Sequence, residues 1–137
     1  RMNENKKPAL PEEEYCFACG KENPVGLHLD FQIENDEFRT VKTLSREYQS
    51  FTGVVHGGII TTMLDEAMGG YLYRMGEKAV TARLAVRYRK PTPVGEELHI
   101  RGWIESRRGR FIDMKAEVSL ADGTITAEGT AKMAVVD

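Results

Sequence analysis

A carboxylate and a pair of glycines are the residues in this chain whose type and spacing could do chemistry. They share one segment, VVHGGIITTMLDEAMGG, residues 54 to 70. Gly57 and Gly58 stand where a helix would begin. There the first backbone N–H groups have no partner within the helix, and the macrodipole is positive. Without side chains these positions admit a ligand, and such an end can hold a carbonyl oxygen as it gains negative charge. The same glycines could equally serve a sharp turn into the helix. Asp65 falls in the middle of that helix. Turning by about 100° per residue puts Gly58, Thr61, Thr62, Gly69 and Leu72 within about 60° of it, and Ile60, Met63, Ala67 and Tyr71 on the other side. The carboxylate therefore shares a face of mostly small or hydroxylated residues, with room for a substrate or another chain. Glu66 points about 100° away.

The elements that must hold these groups follow from periodicity. Leu27, Leu29, Phe31 and Ile33 alternate with polar residues up to a turn at Asn35-Asp36, and a second strand follows over about 37 to 44. The one long helix is predicted from His56 to Met75, with Gly76 as its stop. Period two then returns. Val80, Ala82, Leu84, Val86 and Tyr88 are assigned to one face, which leaves Thr81 with Arg83 and Arg87 on the other. Further strands run from Leu98 towards Arg107, from Ile112 to Leu120 and from Ile125 to Val135, with Asp122-Gly123 suited to a tight hairpin. Each strand has one apolar face, and only the helix is there to cover it. The pattern predicts an α+β fold of order β-β-α-β-β-β-β, a curved antiparallel β-sheet wrapped around one long central helix.

Distance adds a constraint. Gly57 and Asp65 are about 12 Å apart along a helix, whereas an oxyanion donor and a base acting on one carbonyl must both lie within roughly 3–4 Å of it. If both act, the helices of two subunits pack antiparallel, so that Gly57 of one faces Asp65 of the other. That predicts a homodimer with two composite active sites; the expected assembly is that dimer, alone or as a dimer of dimers.

Composition narrows the class. The chain of 137 residues, 41% hydrophobic and 29% charged, is one domain's worth of material: a loose arm over residues 1–14 and a single domain over 15–137. No apolar run approaches the roughly 18 residues of a membrane span, and the opening residues lack a signal-peptide core, so a cytoplasmic protein without membrane partners is expected. A net charge of −2 gives no reason to expect nucleic-acid binding. Residues 74 to 110 nevertheless carry ten Lys or Arg against four Asp or Glu. Many of those charges could be a solvated strand face. Arg83, Arg87, Arg89, Lys90 and Arg108, with Arg107 and Arg110 nearby, could instead bind phosphates.

The combination of His56-Gly57-Gly58 with an acidic residue nine positions after the histidine resembles the hotdog-fold acyl-CoA thioesterases of the phenylacetate-degradation type, relatives of 4-hydroxybenzoyl-CoA thioesterase. CFACGKENPVGL is similar to the opening of one branch of that family, EYQSFTGVVHGG to its loop into the helix, and VTARLAVRYRKPTPVGEEL to its strand after the helix. The resemblance covers about residues 15 to 136 and implies a hotdog fold. It implies that the amide of Gly57, with that of Gly58, polarises a thioester carbonyl, and that Asp65 of the partner subunit is general base or nucleophile. Thr81 matches a position that orients the water, Gln49 a second contact to the thioester, and His56 a residue that shapes the loop. Ser50 and Thr52 depart from the Gly and Pro common in related sequences.

Hydrolysis of an acyl-CoA to free acid and CoA is the expected activity, with the basic residues on the CoA phosphates and no metal or cofactor. A hotdog dehydratase or hydratase is the rival enzyme, and an acyl-CoA-binding module the rival without chemistry. Cys16-x-x-Cys19 has the spacing of half a zinc site, but no second CxxC or paired histidines complete it. Two reduced, partly buried thiols are the expectation there.

Overall fold

A computed structural model describes residues 13–136 of the chain. Most of the expected arm lies outside these residues. Six strands form one sheet: β1 (Gln32–Glu34), β2 (Glu37–Thr43), β3 (Ala79–Tyr88), β4 (Glu97–Arg108), β5 (Phe111–Leu120) and β6 (Ile125–Val135). Their order is β1-β2-β4-β5-β6-β3, and every pairing is antiparallel. Between β2 and β3 runs the helix. α1 (Gly57–Asp65) passes into a π-helical turn (Glu66–Gly70) and then α2 (Tyr71–Arg74). This is the α+β architecture and element order that the hydrophobic pattern predicts.

The sheet closes on the helix because each strand alternates. Leu98 and Ile100 of β4, Ile112, Met114, Ala116 and Val118 of β5, and Ala127, Ala131 and Met133 of β6 are all buried against it. Turn chemistry sets the hairpins. Asn35 and Asp36 take positive φ (51° and 60°), and Gly123 follows at 91°.

Three details differ from the sequence expectation. Leu27, Leu29 and Phe31 are buried as expected, but sheet pairing starts only at Gln32. The Leu27 and Leu29 amides donate instead to the carbonyls of Phe17 (2.8 Å) and Ala18 (2.9 Å), and His28 interrupts the extended run at φ 53°. Leu72, expected on the Asp65 face, is fully buried. The π-helical turn takes one more residue per turn than an α-helix, so every side chain after Gly70 is rotated relative to a regular helix. The third difference is in β3. Pairing with β6 slips between Thr81 and Arg83, leaving Ala82 as a bulge. Thr81 therefore stands opposite Met133, on the core side with Leu84, and Val80 opposite Ala134 on the outer side, where it is 52% exposed.

The helix approaches the sheet most closely at its π-helical turn. Gly102 of β4 lies under Ala67, and a Cβ there would collide with the Ala67 carbonyl oxygen. At Gly129 of β6 the nearest atoms a Cβ would meet belong to side chains, Met68 Cε at 3.3 Å and Leu64 Cβ at 3.4 Å. A backbone carbonyl cannot move aside as a methyl can. Gly102→Ala is expected to lower stability in urea unfolding by roughly 1–3 kcal/mol or more, and Gly129→Ala by less than about 1 kcal/mol.

Candidate active site

The start of the helix is built by its own cap. His56 is the N-cap residue, and its Nδ1 accepts the Gly58 N–H at 2.9 Å, which places the ring proton on Nε2. The next two amides, Ile59 and Ile60, donate to the His56 carbonyl at 3.0 and 3.1 Å. Among the described residues nothing accepts the Gly57 N–H. Of the two glycine amides singled out from sequence, one is therefore committed to the histidine, and the other points out of the helix end. The Gly58 carbonyl accepts the Thr62 hydroxyl at 3.0 Å.

Asp65 closes α1, immediately before the π-helical turn. Thr81 Oγ donates to its Oδ1 at 3.0 Å. That contact depends on the bulge at Ala82. Without it Thr81 would point with Arg83 to the outer face, as simple alternation implies. Among the described residues nothing bonds the other carboxylate oxygen. Gly69 lies alongside, where a Cβ would stand 4.0 Å from Thr81 Oγ. The arrangement is a carboxylate oriented by one hydroxyl, with Gly69 close to that hydroxyl.

The remaining predicted residues are placed less uniformly. Gln49 sits in the loop before the helix, where its Oε1 accepts the Gly53 N–H at 3.2 Å, so that oxygen holds the loop's own turn. The loop joins the helix start through the His56 N–H, which donates to the Tyr48 carbonyl at 2.8 Å. Arg83 and Arg87 lie on the outer face of β3, Arg83 opposite Lys132 and Arg87 opposite Glu128. Arg89 is paired with Glu128 at 3.2 Å. Lys90 and Arg108 are at opposite ends of the sheet. The Lys90 N–H bonds the Thr126 carbonyl near the start of β6, whereas Arg108 faces Phe111, whose own partner is Ala134 near the end of β6. Within the described chain Arg108 is therefore held apart from Lys90.

Two features of the site escape the sequence reading. Tyr88, at the end of β3, donates its hydroxyl to the Gly57 carbonyl at 2.9 Å and lies 2.6 Å from Thr61 Oγ. A Cβ on Gly57 would stand 3.3 Å from the Tyr88 hydroxyl oxygen. A tyrosine in a strand of alternating apolar residues carries no sequence signal for this role. The second feature is Glu66, next to Asp65, which lies against Cys16 and Cys19. Burial raises its carboxyl above the ordinary range, partly opposed by a hydrogen bond with Cys19. Burial pushes the Cys19 thiol up as well, with the nearby Glu66 charge adding to the effect.

The fold and this helix belong to a known family. Residues 52–127 match the thioesterase superfamily, and the chain is a member of it. A solved thioesterase superfamily protein superimposes with a TM-score of 0.84 at 27% identity, covering 96% of this chain and 70% of its own. A Bacillus halodurans protein solved with CoA gives a TM-score of 0.71 at 29% identity, covering 81% and 76%. The E. coli PaaI protein of the phenylacetic acid degradation operon shares the hotdog fold, with a TM-score of 0.72 at 16% identity over 79% of this chain and 83% of its own. Among curated proteins, the acyl-coenzyme A thioesterase THEM4 of Bos taurus is 30% identical over 90% of this chain and 54% of its own length. The chain spans about half the length of the curated relatives it matches. Among the described residues no helix is long and apolar enough to cross a membrane.

Tyr88→Phe removes the hydroxyl from the Gly57 carbonyl and from Thr61 while leaving the ring. A loss of about 1 kcal/mol per hydrogen bond is expected. Amide exchange over the first turn of α1 should speed up by a larger factor than exchange in β5, and equal protection in both would contradict the role given to Tyr88.

Proposed function

We propose that the chain hydrolyses the thioester of an acyl-CoA to a free acid and CoA, in a homodimer whose two sites each combine Gly57 of one subunit with Asp65 of the other. The observation that carries this reading is Asp65, held through one oxygen by Thr81 at 3.0 Å with the other oxygen unbonded among the described residues. A module that only binds acyl-CoA has no use for a carboxylate so oriented. Membership of the thioesterase superfamily supports the reaction class, and the relative named as an acyl-coenzyme A thioesterase, with the solved relative containing CoA, supports the substrate class.

In this mechanism the thioester carbonyl accepts the Gly57 N–H at the positive end of the helix. Asp65 of the partner subunit takes a proton from water as the water oxygen bonds to the carbonyl carbon. The oxyanion forms at the glycine, then collapses as the C–S bond breaks, and the departing sulfur takes the proton held by Asp65, so CoA leaves as its thiol and the carboxylate is restored. Direct attack by Asp65, giving a mixed anhydride that water then cleaves, uses the same groups. Thr81 orients the carboxylate in either route. His56, by occupying the Gly58 amide, leaves the Gly57 amide as the main oxyanion donor and shapes the loop, as the family resemblance implies for it. Gln49 acts at one remove, by holding the turn at Gly53 ahead of the glycines.

The sheet supplies a reason for the dimer. Among the described residues β3 pairs only with β6, which leaves its other edge unmatched there, and β3 carries Val80 and Tyr88 at 52% and 53% exposure. A long edge with exposed apolar side chains is a template for another strand. Two copies joined there in antiparallel fashion bring their helices side by side. The Lys90 end of one protomer then meets the Arg108 end of the other, so basic residues dispersed within a chain converge at each composite site. Arg83 and Arg87 extend that positive rim along β3 towards the phosphates of CoA.

Release of CoA thiol from a panel of short, medium, long and aromatic acyl-CoAs tests the activity. Asp65→Asn is expected to lower kcat by roughly 10²–10⁴-fold with little change in KM or in assembly, and unchanged turnover would refute the assignment. Added salt should raise KM for acyl-CoA far more than it lowers kcat, because screening acts on the phosphate contacts and not on Asp65.

A further inference from the structure

The segment ahead of β1 meets the middle of the helix through side chains that the proposed hydrolysis does not use. Cys16 and Cys19 lie in a turn closed by the Gly20 N–H, which donates to the Cys16 carbonyl at 2.8 Å. Within it the Cys19 N–H is directed at Cys16 Sγ, 3.5 Å away, so a backbone dipole presents its positive end to that sulfur. The turn rests on Glu66, the first residue of the π-helical turn. Cys16 Sγ, Cys19 Sγ and a Glu66 carboxylate oxygen all lie within 4.8 Å of one another.

Two glycines make room for this convergence. A Cβ at Gly20 would collide with the Cys16 nitrogen and the Glu14 carbonyl, which would open the cysteine turn. A Cβ at Gly70 would stand 2.6 Å from Glu66 Oε2, displacing the carboxylate from its place beside the sulfurs. The neighbouring chain is fixed as well. The Leu27 and Leu29 amides bond the carbonyls of Phe17 and Ala18, the two residues between the cysteines, which ties the turn to a segment whose own side chains are buried in the core.

Two sulfurs and a carboxylate oxygen, brought together from a turn and a helix, are the donor set of a thiophilic divalent cation. Hard cations such as magnesium and calcium take oxygen ligands in larger number. Zinc binds thiolate at about 2.3 Å and carboxylate oxygen at about 2.0 Å, so tetrahedral ligands on one ion stand about 3.5–3.8 Å apart, and the donors here, within 4.8 Å of one another, need to contract by at most about 1.3 Å. We propose that Cys16, Cys19 and Glu66 form a binding site for a divalent cation of the zinc type, with water in the fourth position. The sequence alone displays half of such a site, and the third ligand comes from the helix. Binding would clamp the segment leading into β1 onto the residue next to Asp65 and add its free energy to folding. This inference is independent of the thioesterase reading, and its test reads binding directly.

The full chain, reduced and stripped of metal with a chelator under anaerobic conditions, is titrated with Co²⁺ as the probe. Uptake of one equivalent with thiolate-to-cobalt charge-transfer absorption and tetrahedral d–d bands is expected, and Zn²⁺ should displace it. Cys16→Ser and Cys19→Ser should each abolish the charge-transfer signal or weaken binding by about 100-fold, and Glu66→Gln by about tenfold or more. No thiolate charge transfer at one equivalent in the parent protein overturns the proposal without recourse to any variant. Parental affinity in a folded Glu66→Gln protein, judged by circular dichroism, removes Glu66 from the ligand set and overturns it equally.

Discussion

An α-helix is a ruler that cannot be shortened. From Gly57 to Asp65 the backbone is regular, so the amide at one end and the carboxylate at the other are held about 12 Å apart. No loop movement brings them together, because the residues between them are hydrogen-bonded to each other and packed against the sheet through Ile60, Met63 and Leu64. Whatever chemistry uses both groups must take them from different copies of the helix. The unmatched edge of β3, the exposure of Tyr88 and Val80 on it, and the placing of basic residues at opposite ends of the sheet all become intelligible under that constraint.

Two irregularities aim the site, and both sit beside Asp65. The π-helical turn begins at the next residue and presses the Ala67 carbonyl towards β4, where Gly102 gives it space. The bulge at Ala82 turns Thr81 inwards to the carboxylate. Each interrupts a regular element and gives up some regularity in its hydrogen bonding. Bulges and π-helical turns recur at functional sites because they re-aim single side chains within otherwise rigid elements. Here the rigid elements set position, and the irregularities set direction.

The architecture was legible in the sequence because burial imposes periods on it. Alternation in β4, β5 and β6, and helical spacing from Ile60 to Tyr71, could be read directly. The Asp65 carboxylate stood out for the same reason, as a charge in an element with little solvent to offer it. What could not be read was any departure from the period. Simple alternation puts Thr81 with Arg83, and a regular helical turn puts Leu72 with Asp65; a one-residue slip in the strand and the π-helical turn in the helix change both. Long-range partners were equally hidden: nothing local marks Tyr88 as the group that holds the Gly57 carbonyl, or Glu66 as the neighbour of two cysteines far earlier in the chain.

Mixed subunits show most directly whether each site is shared between two chains. Gly57 is the first helical residue, and His56 before it has φ −59° and ψ 135°, a conformation that a following proline favours. Gly57→Pro therefore deletes the amide donor at a position whose backbone accepts proline, with the Tyr88 hydroxyl, 3.3 Å from a Cβ there, shifting by a few tenths of an ångström. Asp65→Ala deletes the carboxylate. Each variant alone should be inactive. Unfolding and refolding the two together in equal amounts should restore about a quarter of the parental activity, since half of the dimers are mixed and each mixed dimer has one intact site. If mixed dimers form and no activity returns, the two groups do not act across the interface, and the account is wrong.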